Sequence, residues 1–140
     1  MKTRIFSLMM CVCLLITSMI PVMASAEESA IQPRLTYIQT AMGALVPVNS
    51  NTLNVYCSMD GEDNVVKCYI KFTVQKKGFL GLSWSDKISG SMTTGTYYAD
   101  VDRNITGFSS GTYRLKTEFT ATTSSGQSET ITVYSQECKL

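Results

Sequence analysis

Histidine is absent from all 140 residues, which removes the commonest general base and the commonest metal ligand, and with them most hydrolytic triads and zinc sites. Proline is nearly as scarce, with three residues and none after Pro47. Charge is thin at 16%, and its near balance, +1 overall, gives no global pull toward nucleic acid. No Gly-x-Ser-x-Gly elbow, phosphate loop or dinucleotide fingerprint occurs, so the usual anchors of nucleophilic and cofactor chemistry are missing. What remains is a chain of single-domain length with 44% hydrophobic residues, too apolar for a disordered tail.

The first 26 residues read as an export signal. Lys2 and Arg4 form a basic start, Ile5 to Met23 is almost wholly apolar, and Ala24-Ser25-Ala26 supplies a small-x-small cleavage site. An uncleaved anchor is the rival reading, since a span needs about 20 apolar residues; Pro21, just before the small residues, favours cleavage. Cys11 and Cys13 are apolar filler within this stretch. The mature domain is then 27–140. Loss of Lys2 and Arg4 leaves ten of the twelve bases against eleven acids, a net of −1. Localisation is expected to be secreted, extracellular or associated with the cell envelope, with no membrane span after cleavage and no nucleic-acid partner.

The mature chain alternates with the period of strands. Leu53, Val55, Cys57 and Met59 are apolar with polar residues or Tyr56 between them; the pattern resumes at Val66, Cys68, Ile70, Phe72 and Val74, and again at Tyr113, Leu115, Phe119 and Ala121. Turn residues divide seven strands, near 34–46, 51–59, 65–76, 81–90, 95–103, 111–122 and 128–137. Such spacing predicts an all-β, immunoglobulin- or fibronectin-type antiparallel sandwich, with Tyr113 placed like a tyrosine-corner residue. An open barrel with the same strand count satisfies the same pattern. The cysteine pairing of true immunoglobulin domains does not fit, because Cys57 on the second strand would face Leu115 on the sixth.

Several segments also resemble a known group. Thr73-Val74-Gln75-Lys76-Lys77 followed by Trp84, with Gly111-Thr112-Tyr113-Arg114-Leu115-Lys116-Thr117 and Ser128-Glu129-Thr130-Ile131-Thr132-Val133-Tyr134-Ser135, is similar to a family of small secreted all-β proteins of Gram-positive, clostridia-like bacteria whose function is not established. The likeness starts near Gln32-Pro33-Arg34 and covers most of the mature chain. It implies export and an all-β fold and assigns no activity.

Three cysteines remain after export. Cys57 and Cys68 share the inward parity of their strands, so they are expected to join across the core as a disulfide, the other reading being two small buried hydrophobes that never pair. Cys138 reads as a free tail thiol or a handle for linkage between molecules. Asp60, Glu62, Asp63 and Asn64 form a solvated turn whose spacing does not match a calcium loop. Asp100 and Asp102 share one strand face, without a second wall to make a catalytic pair. Trp84, on the parity of Leu82 and Ile88, reads as a core anchor, the other reading being an exposed stacking platform.

Neither a catalytic set nor a cofactor or metal site emerges, so a non-catalytic role is expected. One surface stands out. In a sandwich the third, sixth and seventh strands lie side by side, and their outward positions gather Lys67, Tyr69, Lys71, Arg114, Lys116 and Tyr134 on one face. Four cations and two tyrosines on a chain of net −1 suit an anionic glycan, an envelope polymer or a protein partner. An ordinary wet sheet surface, on a structural or envelope-associated protein without a discrete ligand, is the alternative. Oligomeric state is left open.

Overall fold

The computed structural model describes residues 35–140. The leader read at 1–26, with Cys11 and Cys13, lies outside the described residues. Eight strands follow: β1 (Ile38–Asn49), β2 (Thr52–Gly61), β3 (Val65–Lys77), β4 (Trp84–Thr94), β5 (Tyr98–Thr106), β6 (Thr112–Thr123), β7 (Ser128–Tyr134) and the two-residue β8 (Cys138–Lys139). They form two antiparallel sheets packed as a sandwich, β1-β2-β5 and β4-β3-β6-β7, with β8 pairing to β6 beyond the end of β7. The expected all-β sandwich is therefore present. The fourth strand sits beside the third, whereas the constant-type immunoglobulin order would place it with the first, second and fifth.

Period-two alternation explains the core. Leu53, Val55, Cys57 and Met59 from β2 face Cys68, Ile70, Phe72 and Val74 from β3 and Tyr113, Leu115, Phe119 and Ala121 from β6, and all are buried. Each large side chain among them contributes about 1.5–3 kcal/mol through removal from water. The packing is close enough to dictate a glycine: a Cβ at Gly90, the partner of Phe72 across β3 and β4, would overlap the edge of the buried Phe72 ring. Tyr113 is the second residue of β6, its hydroxyl donating back to the Ser109 carbonyl at 2.6 Å, with Phe108 edge-on to its ring at 5.3 Å. That geometry meets the tyrosine-corner expectation.

Three expectations need correction. Cys57, Cys68 and Cys138 are all free thiols. Cys57 lies across the sandwich against Thr117, Sγ to Oγ1 3.6 Å, while Cys68 pairs with Ala121, four residues further along β6. Four residues of strand are about 13 Å, beyond the roughly 7 Å Cα separation that a disulfide can bridge. Both are therefore small buried hydrophobes, and burial pushes both thiols up.

The second correction is Val66. A β-bulge between Val65 and Lys67 makes Val66 the extra residue; Val65 takes the core position and Val66 is 47% exposed. The third is Trp84. A second bulge, with Lys87 as its extra residue between Asp86 and Ile88, separates Trp84 from the parity of Ile88. Trp84 consequently lies on the outer face, opposite Lys77, and Leu82 is fully in solvent.

Candidate binding face

The register brings the six expected residues together on the outer face of the β4-β3-β6-β7 sheet. Lys67 pairs with Thr122, Tyr69 with Thr120, Lys71 with Glu118, and Thr73 with Lys116, which in turn pairs with Tyr134 across β6 and β7. Cross-strand partners share a face, so these side chains project on the side away from the core.

Two arrangements divide the face. In the first, Glu118 holds two cations, with Lys116 Nζ at 3.0 Å and Lys71 Nζ at 3.7 Å. The hydrogen bond from Lys116 holds the Glu118 carboxyl below its ordinary value, and the same bond raises Lys116. Two of the four expected cations are thus partly neutralised in place, leaving a net of one positive charge on the trio.

The second arrangement centres on Arg114. Its guanidinium lies 4.2 Å from the Trp84 ring and 4.4 Å from the Tyr134 ring, bracketed by β4 on one side and β7 on the other. Its Nε donates to Gln75 Oε1 at 2.8 Å, and Gln75 Nε2 donates to Asp86 Oδ1 at 2.7 Å, which fixes the plane of the group. Arg114 makes no ion pair among the described residues. A planar fork held by two aromatic faces, with its terminal N–H groups uncommitted to any carboxylate, can grip a carboxylate or phosphate in bidentate fashion. Sequence reasoning found Arg114 and Tyr134 and set Gln75 on the outward parity without giving it a role; it missed Trp84 and Asp86, because the bulge at Lys87, which no residue pattern announces, moves them to this face.

The opposite face differs. The outward positions of β1-β2-β5 carry Asp60, Asp100 and Asp102 and no Lys or Arg, and Asn54 Nδ2 donates to Asp102 Oδ1 at 2.7 Å and to Asn104 Oδ1 at 3.0 Å. Asp60 leads into the β2–β3 turn, where Gln39 donates to Glu62 at 3.1 Å, as a hydrated turn would have it. Cys138 is partly buried against the core rather than free in a tail, and burial raises its thiol. No protein-family model and no curated protein matches this sequence.

Proposed function

We propose that this is an exported, non-catalytic binding module that takes an anionic glycan or cell-envelope polymer on the outer face of its larger sheet. The observation that carries the reading is Arg114, oriented by Gln75 and bracketed by Trp84 and Tyr134, with no carboxylate partner among the described residues. The rings supply stacking area for a sugar or other flat group, and the guanidinium supplies the charge that selects an acidic polymer. Lys67, Lys71 and Lys116 steer encounter from further off. Export follows from the basic–apolar–small order of residues 1–26, and kinship with the small secreted β-proteins of clostridia-like bacteria belongs to the same reading. A purely structural role through intermolecular linkage at Cys138 is disfavoured by the partial burial of that thiol.

The test is retention of the purified protein on immobilised polygalacturonate at low salt, with a neutral glucan matrix as the control. Arg114→Glu is expected to lower retention by about tenfold or more, with the cooperative fold retained and the melting temperature lowered by only a few degrees as the ring contacts are lost. Retention that survives the charge reversal, or that is equal on the neutral matrix, overturns the proposal. Intact mass of the exported protein is expected to begin at Glu27; a mass that includes Met1 to Ala26 overturns the export reading.

A further inference from the structure

The turn between β3 and β4 runs Gly78-Phe79-Leu80-Gly81-Leu82-Ser83, and its apolar side chains touch almost nothing. Phe79 is 103% exposed, Leu82 87% and Leu80 74%. The turn is nonetheless closed by hydrogen bonds: Gly78 N–H donates to the Ser83 carbonyl at 2.8 Å, and Gly81 N–H to the Gly78 carbonyl at 2.9 Å. Gly81 has φ +70°, a backbone conformation that selects glycine. Three large apolar groups are therefore held out from the end of the sandwich on a shaped projection.

Cations stand directly behind it. Lys76 and Lys77 lead into the turn, and the bulge residue Lys87 follows it. Lys76 and Lys87 line an open groove of about 340 Å³ with Ile88, Phe108, Ser109 and Tyr113. Lys139 on β8 belongs to the same end, beside Thr112 at the start of β6. Against these four cations stand Asp86, bonded to Gln75, and Glu137, paired with Lys77 at 2.9 Å. The far end of the sandwich has the reverse character, with Asp60, Glu62 and Asp63 at the β2–β3 turn and Glu129 near the start of β7.

We infer that the β3–β4 turn docks this protein on an anionic lipid surface, with Phe79, Leu80 and Leu82 entering the boundary between headgroups and acyl chains and Lys87 resting among the headgroup phosphates, while Lys76, whose Nζ donates to Ser109 Oγ and the Ser110 carbonyl, and Lys77, paired with Glu137, add to the positive field of this end. A convex tip of three side chains offers far less than the roughly 800 Å² per partner of a stable protein interface. A bilayer needs no matching surface, and it draws in apolar groups and cations together. Trp84, at the base of the turn, occupies the level where tryptophan is enriched at membrane interfaces. The two hydrogen bonds that close the turn meet part of the demand for paired backbone groups at that depth. The inference concerns the turn and goes beyond the polymer reading of the sheet face.

Trp84 is the only tryptophan, so its emission reports the base of the turn directly. Purified protein is mixed with vesicles of phosphatidylglycerol and phosphatidylcholine, or of phosphatidylcholine alone, and read by emission and co-sedimentation. On the anionic vesicles the emission is expected to move to the blue, with binding about tenfold weaker on phosphatidylcholine alone or in high salt. The double variant Phe79→Ser/Leu82→Ser is expected to lose about tenfold or more in vesicle partition, with an unchanged melting temperature and unchanged retention on polygalacturonate. Should that variant fold poorly, Lys87→Glu reads the charge contribution alone, with severalfold weaker binding to the anionic vesicles only. No emission change in the parent, or equal partition by parent and variants, overturns the inference. So does a concentration-dependent dimer that the double variant abolishes without any vesicle binding, which would assign the turn to a second copy of the chain.

Discussion

On the β1-β2-β5 sheet the outward pleat carries Asp60, Asp100 and Asp102 and no cation; on the β4-β3-β6-β7 sheet it carries Lys67, Lys71, Lys116 and Arg114 against Glu118 and Asp86. The inner pleats of the same strands are nearly interchangeable, Leu, Val, Met and Cys on one side against Ile, Phe, Val, Cys and Leu on the other. Alternation thus separates two tasks within each strand. Inward residues decide that a sandwich forms, and outward residues decide what each face can meet. The acidic face binds its own neighbours through Asn54. The basic face keeps one guanidinium without a carboxylate, held between two rings.

Both faces rest on one shared core. Phe119→Ala, at a fully buried position between the sheets, is expected to cost about 3–5 kcal/mol and to remove the cooperative transition of both faces together; thermal unfolding checks this, and a small shift would show that the faces do not share one core. A mirrored pair sharpens the comparison. Arg114→Glu should reduce retention on polygalacturonate by about tenfold, whereas Asp102→Lys on the opposite face should leave it within about twofold. Affinity chromatography at a single low salt concentration compares the two.

A third test addresses the clamp between the sheets. Glu129 on β7 accepts the N–H groups of Thr36, Tyr37 and Ile38, at 2.8–3.1 Å, and so ties the entry of β1 to the other sheet. Burial raises its carboxyl, but these three donors together bring it below the ordinary value of 4.5. A depressed folded-state value means that the stabilisation is complete above the unfolded-state value and is lost as pH falls through the folded one. Stability should decline on acidification from about pH 5 downward, and Glu129→Gln should flatten that decline while costing about 1–2 kcal/mol at neutral pH; denaturant unfolding across the acid range measures both. The smallest effect is expected from Glu118→Gln. Freeing Lys71 and Lys116 should raise polyanion retention about two- to threefold and change stability by less than about 0.5 kcal/mol, because such exposed pairs stabilise little.

Much of the fold was legible because alternation and turn residues agreed. The four inward residues of β2, and those of β6, are buried as their parity requires. The misplacements of Val66 and Trp84 share one cause. A single inserted residue moves everything before it to the other face, and bulges at Val66 and Lys87 did so for Val66 and Trp84. The first strand, expected near 34–46, runs on through Pro47, which pairs with Leu53 inside β1, an edge strand whose free side can lack a donor. The disulfide expectation failed for a different reason. Parity says which face a cysteine occupies, but the offset along the strand depends on how the two sheets slide over each other. The basic face was legible as a set of residues, while the approach of Trp84 to Arg114 depends on the bulge at Lys87, and the sharing of Glu118 on the side-chain reach of Lys71 and Lys116.

The strand order has a consequence for how the chain reaches this state. β2 pairs with β5 across the two strands between them, and β3 pairs with β6 across β4 and β5, so the two central pairings interlock along the sequence. A chain complete only as far as β4 can form the β1–β2 and β3–β4 hairpins, and isolated hairpins are marginal in water. Neither sheet gains its central partner until β5 and β6 are available, and each pairing must close a long loop before any contact rewards it. Folding should therefore be slow for a domain of this size, in milliseconds to seconds, and all-or-none. A fragment ending at Thr106 would hold most of the strands and little of the stability.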